Sequence, residues 1–402
     1  MRFGLIKERK NPPDRRVVLS PQACEWLKDQ YPGIDIRVEP SDIRVFSDAL
    51  YREKNLTISQ EMKDCEVLLG VKEVPIRDLI PNTSYFFFSH TIKKQAYNRE
   101  LLQAVLKNKI TLYDHEVITN AKGQRLVAFG RYAGLVGAYH AIRTYGLKQR
   151  LFSLPQANDL KDLDALIAQL RTVNLPANVK IVLTGTGRVG NGAAEILDAM
   201  GLIKVCQDHF LDRHFEKAVY CQIDVLDYHK RADGQLASKQ DFFKHPELYI
   251  SDFKKYTEVS DIFIAGHFYG QGAPAFFRMK DIAAASFKPV VIADISCDIG
   301  HPIPTTLRAS TIKDPIYGVD RATGKEVSYL QDNAIAVMAV DNLPCELPAD
   351  ASEGFGAAFM EYVIPAFFNG DQDGILARAK MTENGKLTPN FEYLSDFVAG
   401  KE

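Results

Sequence analysis

Val179 to Gly201, VKIVLTGTGRVGNGAAEILDAMG, constrains this chain more than any other stretch. It reads as a buried strand over Val179–Thr184, a glycine turn, and a helix from about Val189 to Met200. The turn holds Gly185, Gly187 and Gly190 at G-x-G-x-x-G spacing. That spacing is weak evidence by itself and much stronger between a β-branched run and an apolar-periodic helix. Gly185 permits the tight turn, Gly187 lets the backbone approach a pyrophosphate, and Gly190 lets the helix pack on the strand. Arg188 and Val189 complete the turn. The helix N-terminus then offers free N–H groups and a positive dipole end to phosphates. An ordinary strand-turn-helix, with glycines for packing only, is the plain alternative.

At 402 residues the chain predicts two or three domains. A net charge of -2 gives nucleic acid or an anionic membrane no bulk attraction. No apolar run reaches the length of a membrane span, and MRFGLIKERK is too short in apolar residues for a signal peptide. Six scattered cysteines form no C-x-x-C or zinc-ligand spacing and read as reduced thiols of a cytoplasmic protein. No metal site is expected.

The chain before the glycine motif alternates short apolar strands with helices, which argues a parallel sheet. Strands are expected at Arg2–Ile6, Ile34–Val38, Glu66–Val71, Ser84–Phe88 and Ile110–Tyr113. Ser20-Pro21 starts a helix. Ligands of an open parallel sheet bind beyond the carboxyl ends of its strands. One edge would therefore gather Lys72, His90, Glu116 and Arg16, a constellation suited to acid/base work and carboxylate binding. Charged residues also simply begin loops, so each of the four has that plainer explanation. Arg125 to Gly146 carries small residues at helical spacing and reads as a long connecting helix that packs closely or lies near a ligand. After the glycines, Leu202–Cys206 reads as the second strand, with Asp208 about where an adenosine-ribose acid is expected. Asp208 favours NAD; nearby Arg213 leaves NADP open. His209 to Ser260 reads as a long insertion of unassigned role. Further strands are expected at Asp261–Ala265, Pro289–Ile295 and Ala334–Val340. A helix over Ala351–Phe367 would return to the first domain.

Several segments together resemble the alanine dehydrogenase, transhydrogenase and saccharopine dehydrogenase superfamily. They are RRVVLSP (15–21), GVKEVP (70–75), FSHTIKKQ (88–95), LYDHE (112–116), GQRLVAFGRYAG (123–134), the glycine motif, ADISCDIG (293–300) and VDNLPCELPADAS (340–352). Within it the chain looks most like lysine-forming saccharopine dehydrogenases and the related lysine–2-oxoglutarate reductase domains. The resemblance implies an α/β protein of two Rossmann-like doubly wound parallel-sheet domains with a cleft between them. Residues 1–130 plus 349–402 would form the substrate domain and 131–348 the NAD(P) domain. The implied reaction takes L-saccharopine, NAD(P)+ and water to L-lysine, 2-oxoglutarate and NAD(P)H, or runs in reverse. By position Lys72 and His90 match the acid/base pair and Arg16 a substrate-carboxylate arginine. Lys93 and Glu116 match residues lining the site, and Arg125 and Asp341 residues near cofactor or cleft. The chain departs from the family at Asn11–Asp14, at Arg131 and in the length of the 209–260 segment. These departures leave the amino acid and oxo acid open.

The partner is then a small amino acid or 2-oxo acid, with no nucleic acid and no membrane; a homo-oligomer is compatible. His90 suits proton transfer near neutral pH. Lys72 would need a lowered pKa, for which Lys93 and Arg16 could supply charge. The rivals are an alanine-dehydrogenase-type enzyme and a non-catalytic NAD-binding protein.

Overall fold

The computed structural model describes residues 1–270 and 272–401. Gln271 and Glu402, which the expected domain spans include, lie outside the described residues. The chain divides into two compact units, Met1–Phe129 with Pro348–Glu402, and Gly130–Leu347.

The first unit is built on a six-stranded sheet. Its strands are β1 (Arg2–Leu5), β2 (Asp35–Val38), β3 (Thr57–Ile58), β4 (Val67–Leu69), β5 (Ser84–Phe87) and β6 (Thr111–Asp114), in the order β3-β2-β1-β4-β5-β6. Every pairing is parallel. Central strands such as β4 are buried along their whole length, as expected when helices cover both faces. The helix Pro21–Gln30 begins as its sequence indicates: Ser20 accepts the Ala23 N–H at 3.2 Å, and proline takes the first position. The residues that return after Leu347 complete this unit with a helix over Pro348–Ala358 and a small hairpin (Thr382–Glu383, Lys386–Leu387).

The second unit holds a mixed eight-stranded sheet. In chain order its strands are β7 (Lys180–Thr184), β8 (Ile203–Lys204), β9 (Val219–Ile223), then, after the separate hairpin β10 (His229–Arg231) and β11 (Tyr249–Ser251), β12 (Ile262–Ala265), β13 (Val291–Asp294), β14 (Ile316–Asp320), β15 (Glu326–Val327) and β16 (Ala334–Met338). The spatial order is β15-β14-β16-β13-β12-β7-β9-β8. The six strands from β16 to β8 run parallel; β14 and β15 add an antiparallel edge.

Three expectations need correction. The 209–260 segment is not wholly an insertion, because it contains β9, the sheet neighbour of β7. The true excursion is the β10–β11 hairpin with the helix Lys239–Lys244 between its strands. The second sheet is not purely parallel, because the 316–327 pair folds back on its edge. The long helix begins at Gly130 rather than near Arg125; Arg125 itself lies in a β-bridge with Thr119.

Candidate active site

Because β1, β4, β5 and β6 run parallel, their carboxyl ends open at one edge of the first sheet. Lys72 follows β4 by three residues, His90 follows β5 by three, and Glu116 follows β6 by two. The structure brings His90 and Glu116 together, while Lys72 adds its charge to the neighbouring Asp14. His90 Nδ1 lies 3.8 Å from Glu116 Oε2, and its Nε2 lies 3.8 Å from Glu73 Oε1. Its backbone sits in the left-handed region at φ 53°, an unfavourable conformation for a non-glycine residue and one that gathers at functional sites. The ring stacks on Phe88.

Glu116 collects cations. Lys93 Nζ and Arg125 Nη1 each stand 4.0 Å from its Oε1. The neighbouring imidazole of His90 holds its carboxyl below the usual range against the cost of burial, with Arg125 and Lys93 adding to the effect. Arg125, which the resemblance puts near cofactor or cleft, stands in the first unit beside Glu116 and over the Phe88 ring at 5.5 Å.

Arg16 is buried and forked onto Asp14, with Nε–Oδ1 at 3.0 Å and Nη2–Oδ2 at 2.6 Å. Its guanidinium lies 4.2 Å from the centroid of Phe129. Against the cost of burial, Arg16 holds the Asp14 carboxyl down at about 2, with Lys72 contributing as well.

Three residues that sequence reasoning missed hold these loops in place. Glu8 accepts the Val71 N–H at 2.7 Å and the Lys72 N–H at 2.9 Å, fixing the backbone of Lys72. Asp114 accepts the Ser89 N–H at 3.0 Å and the Glu116 N–H at 2.7 Å, tying the His90 loop to Glu116. His115 is buried, and burial lowers its pKa to about 3. The neutral ring donates from Nε2 to the Gly70 carbonyl at 2.9 Å. The one visible signal for Glu8, Asp114 and His115 is their place at strand ends.

In the second unit the glycine turn opens the helix Arg188–Ala199, whose N-cap Gly187 provides no side-chain hydrogen bond. Gly185 has φ +94°, a conformation suited to glycine. A Cβ on Gly190 would lie 2.0 Å from the Gly185 carbonyl oxygen, so only glycine fits where helix meets strand. At Gly187, by contrast, nothing stands within 4 Å of a Cβ position. An open approach in front of uncapped N–H groups fits a dinucleotide pyrophosphate. Val189 and Arg188 pack beside Gly130 at the helix start.

Asp208 does not reach this turn by the expected route. It lies in a short helix, Gln207–Asp212, after the two-residue edge strand β8. The strand beside β7 is β9, and it ends at Asp224. Thr184 pairs with Ile223, and the Gly185 N–H donates to the Ile223 carbonyl at 2.8 Å. The Thr186 hydroxyl, inside the glycine turn, donates to Asp224 Oδ2 at 2.8 Å. Asp224 therefore occupies the place sequence spacing assigned to Asp208. Asp341 follows β16, with its N–H donating to the Ser310 carbonyl at 3.3 Å. Arg131, one of the departures, pairs with Glu195 on the neighbouring helix.

Among the described residues no cluster of three or more His, Cys, Asp or Glu side chains could hold a metal ion. No helix among them is long and apolar enough to cross a membrane.

The family models for the alanine dehydrogenase/PNT N-terminal and C-terminal domains match residues 4–136 and 163–390. An alpha-aminoadipic semialdehyde synthase of Arabidopsis thaliana is 29% identical over 97% of this chain, which spans 41% of that protein. The chain is thus about half the length, or less, of the semialdehyde synthases it matches. A saccharopine dehydrogenase [NAD(+), L-lysine-forming] of Yarrowia lipolytica is 25% identical, with 88% of this chain and 89% of that protein covered. Among solved structures, an L-alanine dehydrogenase shares the fold at TM-score 0.66 and 17% identity, over 99% of this chain and 100% of its own. The chain belongs to the alanine dehydrogenase/PNT family.

Proposed function

We propose that this family member is an NAD(P)-dependent oxidoreductase of the saccharopine dehydrogenase kind. It would act on the carbon–nitrogen bond that joins an amino acid to a 2-oxo acid. In one direction saccharopine is cleaved to L-lysine and 2-oxoglutarate; in the other the two are reductively condensed. The observation that carries this reading is the pairing of His90 with Glu116 beyond the sheet's parallel strands, with Lys93 and Arg125 beside Glu116 and Lys72 in the loop that follows the neighbouring strand β4. The likeness to lysine-forming saccharopine dehydrogenases along most of both chains supports the substrate class.

A dinucleotide bound at the glycine turn supplies the hydride acceptor or donor. Gly187 and the first helical N–H groups would hold its pyrophosphate, with Gly185 and Gly190 shaping the turn. Asp224 would take its adenosine ribose, which favours NAD. Asp341 lies on the same carboxyl-end rim of the second sheet. Lys72 and His90 form the acid/base pair. Oxidation of the secondary amine to an imine releases the amine proton. Addition of water to the imine needs a proton taken from the water, and collapse of the carbinolamine needs one returned to the departing nitrogen. Glu8 and Asp114 hold the two loops that carry these groups. Arg16, Lys93 and Arg125 supply cations for the substrate carboxylates. Cys24, Cys65, Cys206, Cys221 and Cys297 are free thiols, which fits a reducing cytoplasm.

The test is NADH and NADPH oxidation with 2-oxoglutarate and a panel of amino acids, lysine first. Lys72→Met and His90→Gln are each expected to cut turnover by about ten- to ten-thousand-fold. Unchanged turnover in both variants would falsify the acid/base assignment. Oxidation that requires ammonia in place of an amino acid indicates an alanine-dehydrogenase type instead. Binding without turnover across the panel indicates a non-catalytic protein.

A further inference from the structure

The β10–β11 excursion sends a lysine to the adenosine end of the glycine turn. The helix Lys239–Lys244 stands between the two strands of that hairpin, and its first residue, Lys239, ion-pairs through Nζ with Asp224 Oδ2. The same oxygen accepts the Thr186 hydroxyl of the glycine turn. The other oxygen, Oδ1, accepts the Val225 N–H at 2.7 Å. The Asp224 carboxylate is therefore held by the backbone and the glycine turn, while its lysine partner approaches from the solvent side. The Lys239 side chain is 56% exposed against 27% for Asp224, and it stands on a flexible four-carbon stem. A second lysine shares this rim. Lys204 Nζ donates to Gln222 Oε1 at 2.7 Å, and the Gln222 amide donates to the Gly185 carbonyl at 2.9 Å.

We propose that Lys239 is a cofactor-selecting residue that provides a cation for a 2′-phosphate, so that the chain takes NADPH as well as NADH. The inference rests on the dinucleotide reading above. A lone carboxylate at the ribose accepts the 2′-hydroxyl and repels a 2′-phosphate, whereas a nearby cation accommodates the phosphate. This site holds both groups already paired. NADH breaks the pair by taking Asp224 through the ribose hydroxyls. NADPH breaks it by taking Lys239 through the phosphate, with Lys204 adding charge on the same rim. Either ligand gives up the same ion pair, so the discrimination a bare Asp224 would impose is narrowed. A surface pair of this exposure contributes little to folding, so stability gives no competing account of its position.

Equilibrium titration of NADH and NADPH, followed by nicotinamide fluorescence without substrates, tests the proposal on the full chain. The wild type is expected to bind both. Lys239→Met is expected to weaken NADPH by about ten- to a hundred-fold, the usual worth of one charge-assisted hydrogen bond, and to leave NADH within about threefold. Lys239→Arg should keep NADPH binding. Asp224→Asn should weaken NADH and spare NADPH. Added salt should reduce the NADPH advantage of wild type over Lys239→Met. Wild type that binds NADH and rejects NADPH overturns the proposal, as does a Lys239→Met variant that shifts both ligands equally or neither. Wild type that binds neither overturns the dinucleotide reading itself, a separate failure visible before any variant is made.

Discussion

Glu8 places a carboxylate under the loop of Lys72 and devotes both oxygens to that loop's backbone. Burial, and then the nearby charge of Asp14, pushes it up to about 7, while the Val71 and Lys72 N–H groups and Arg16 oppose the shift. An acid whose folded pKa exceeds its unfolded value binds its proton more tightly when folded. Its contribution is therefore complete below pH 4.5 and is lost as pH rises through about 7. The shift corresponds to about 3 kcal/mol. Glu8→Gln removes that titration. Between pH 4.5 and 7.5 the wild type is expected to lose up to about 3 kcal/mol more stability than the variant, read as urea midpoints at each pH. Parallel pH dependences would show that Glu8 does not titrate in this range. The sequence allowed Lys72, His90 and Glu116 to be grouped because each follows an apolar strand. It did not allow Glu8 to be distinguished from an ordinary loop charge, since its role depends on Val71 and Lys72 lying across a sheet pairing. Asp224 was missed for a related reason. Counting about twenty residues from the glycines assumes that the next strand in sequence is also the next in space, and here β9 intervenes.

At the scale of elements, the helix Gly130–Gln149 and the helix Arg188–Ala199 touch through backbone. A Cβ on Gly134 would stand 2.0 Å from the Val189 carbonyl oxygen and 2.7 Å from the Ala193 nitrogen; one on Gly192 would stand 2.2 Å from the Arg131 carbonyl oxygen. Neither backbone can give way as a side chain can. Gly134→Ala is expected to cost about 3 kcal/mol, the upper part of the usual overpacking range. It should also weaken dinucleotide binding, because it displaces the helix that carries the glycine turn. Gly187→Ala provides the contrast. With nothing within 4 Å of its Cβ, it should leave the melting temperature within a degree or two while sharply reducing NADH affinity, because the new methyl occupies the approach of the pyrophosphate. Melting curves and NADH titrations on the two variants check both halves, and a Gly187→Ala protein of full affinity would remove that glycine from the site. The small residues of this stretch were legible as helical spacing, and of the two reasons the sequence allowed, the structure supports packing. The antiparallel pair β14–β15 was not legible. Its strands are short, and they follow a long irregular run after Asp298 that carries no period.

At the scale of the molecule, the first unit is discontinuous in sequence, and its late segment is woven into its early sheet. Ser352 Oγ accepts the Val17 N–H at 2.9 Å, and Phe355 stacks on Phe129 at 4.5 Å. Further on, the Met381 N–H donates to the Leu112 carbonyl at 2.7 Å, and Thr382 Oγ1 both accepts the Leu112 N–H at 3.0 Å and donates to the Ile110 carbonyl at 2.8 Å. The tail thus pairs along β6, the strand that leads to Glu116. Met381, Leu394 and Phe397 are fully buried and Phe391 is 5% exposed, all in one cluster with Leu102, Val105 and Leu112. Full burial of one such side chain contributes about 1.5–3 kcal/mol. Four of them therefore approach the roughly 5–15 kcal/mol that holds a domain folded. A chain ended after Asn369 is expected to lose the first unit's cooperative unfolding transition and all turnover. Residues Gly130–Leu347 are untouched by the deletion, so NADH binding at the glycine turn should survive. Thr382→Val is the graded form of the same test. It strands the Leu112 N–H of β6 and the Ile110 carbonyl just before it, at about 1–3 kcal/mol for each group left unsatisfied, and should lower the first unit's melting temperature without abolishing it. Calorimetry with and without NADH separates the outcomes. A truncated chain that melts and turns over like the full one would mean that the tail only decorates β6, and a truncated chain that loses NADH binding as well would mean that the second unit depends on the first for its fold.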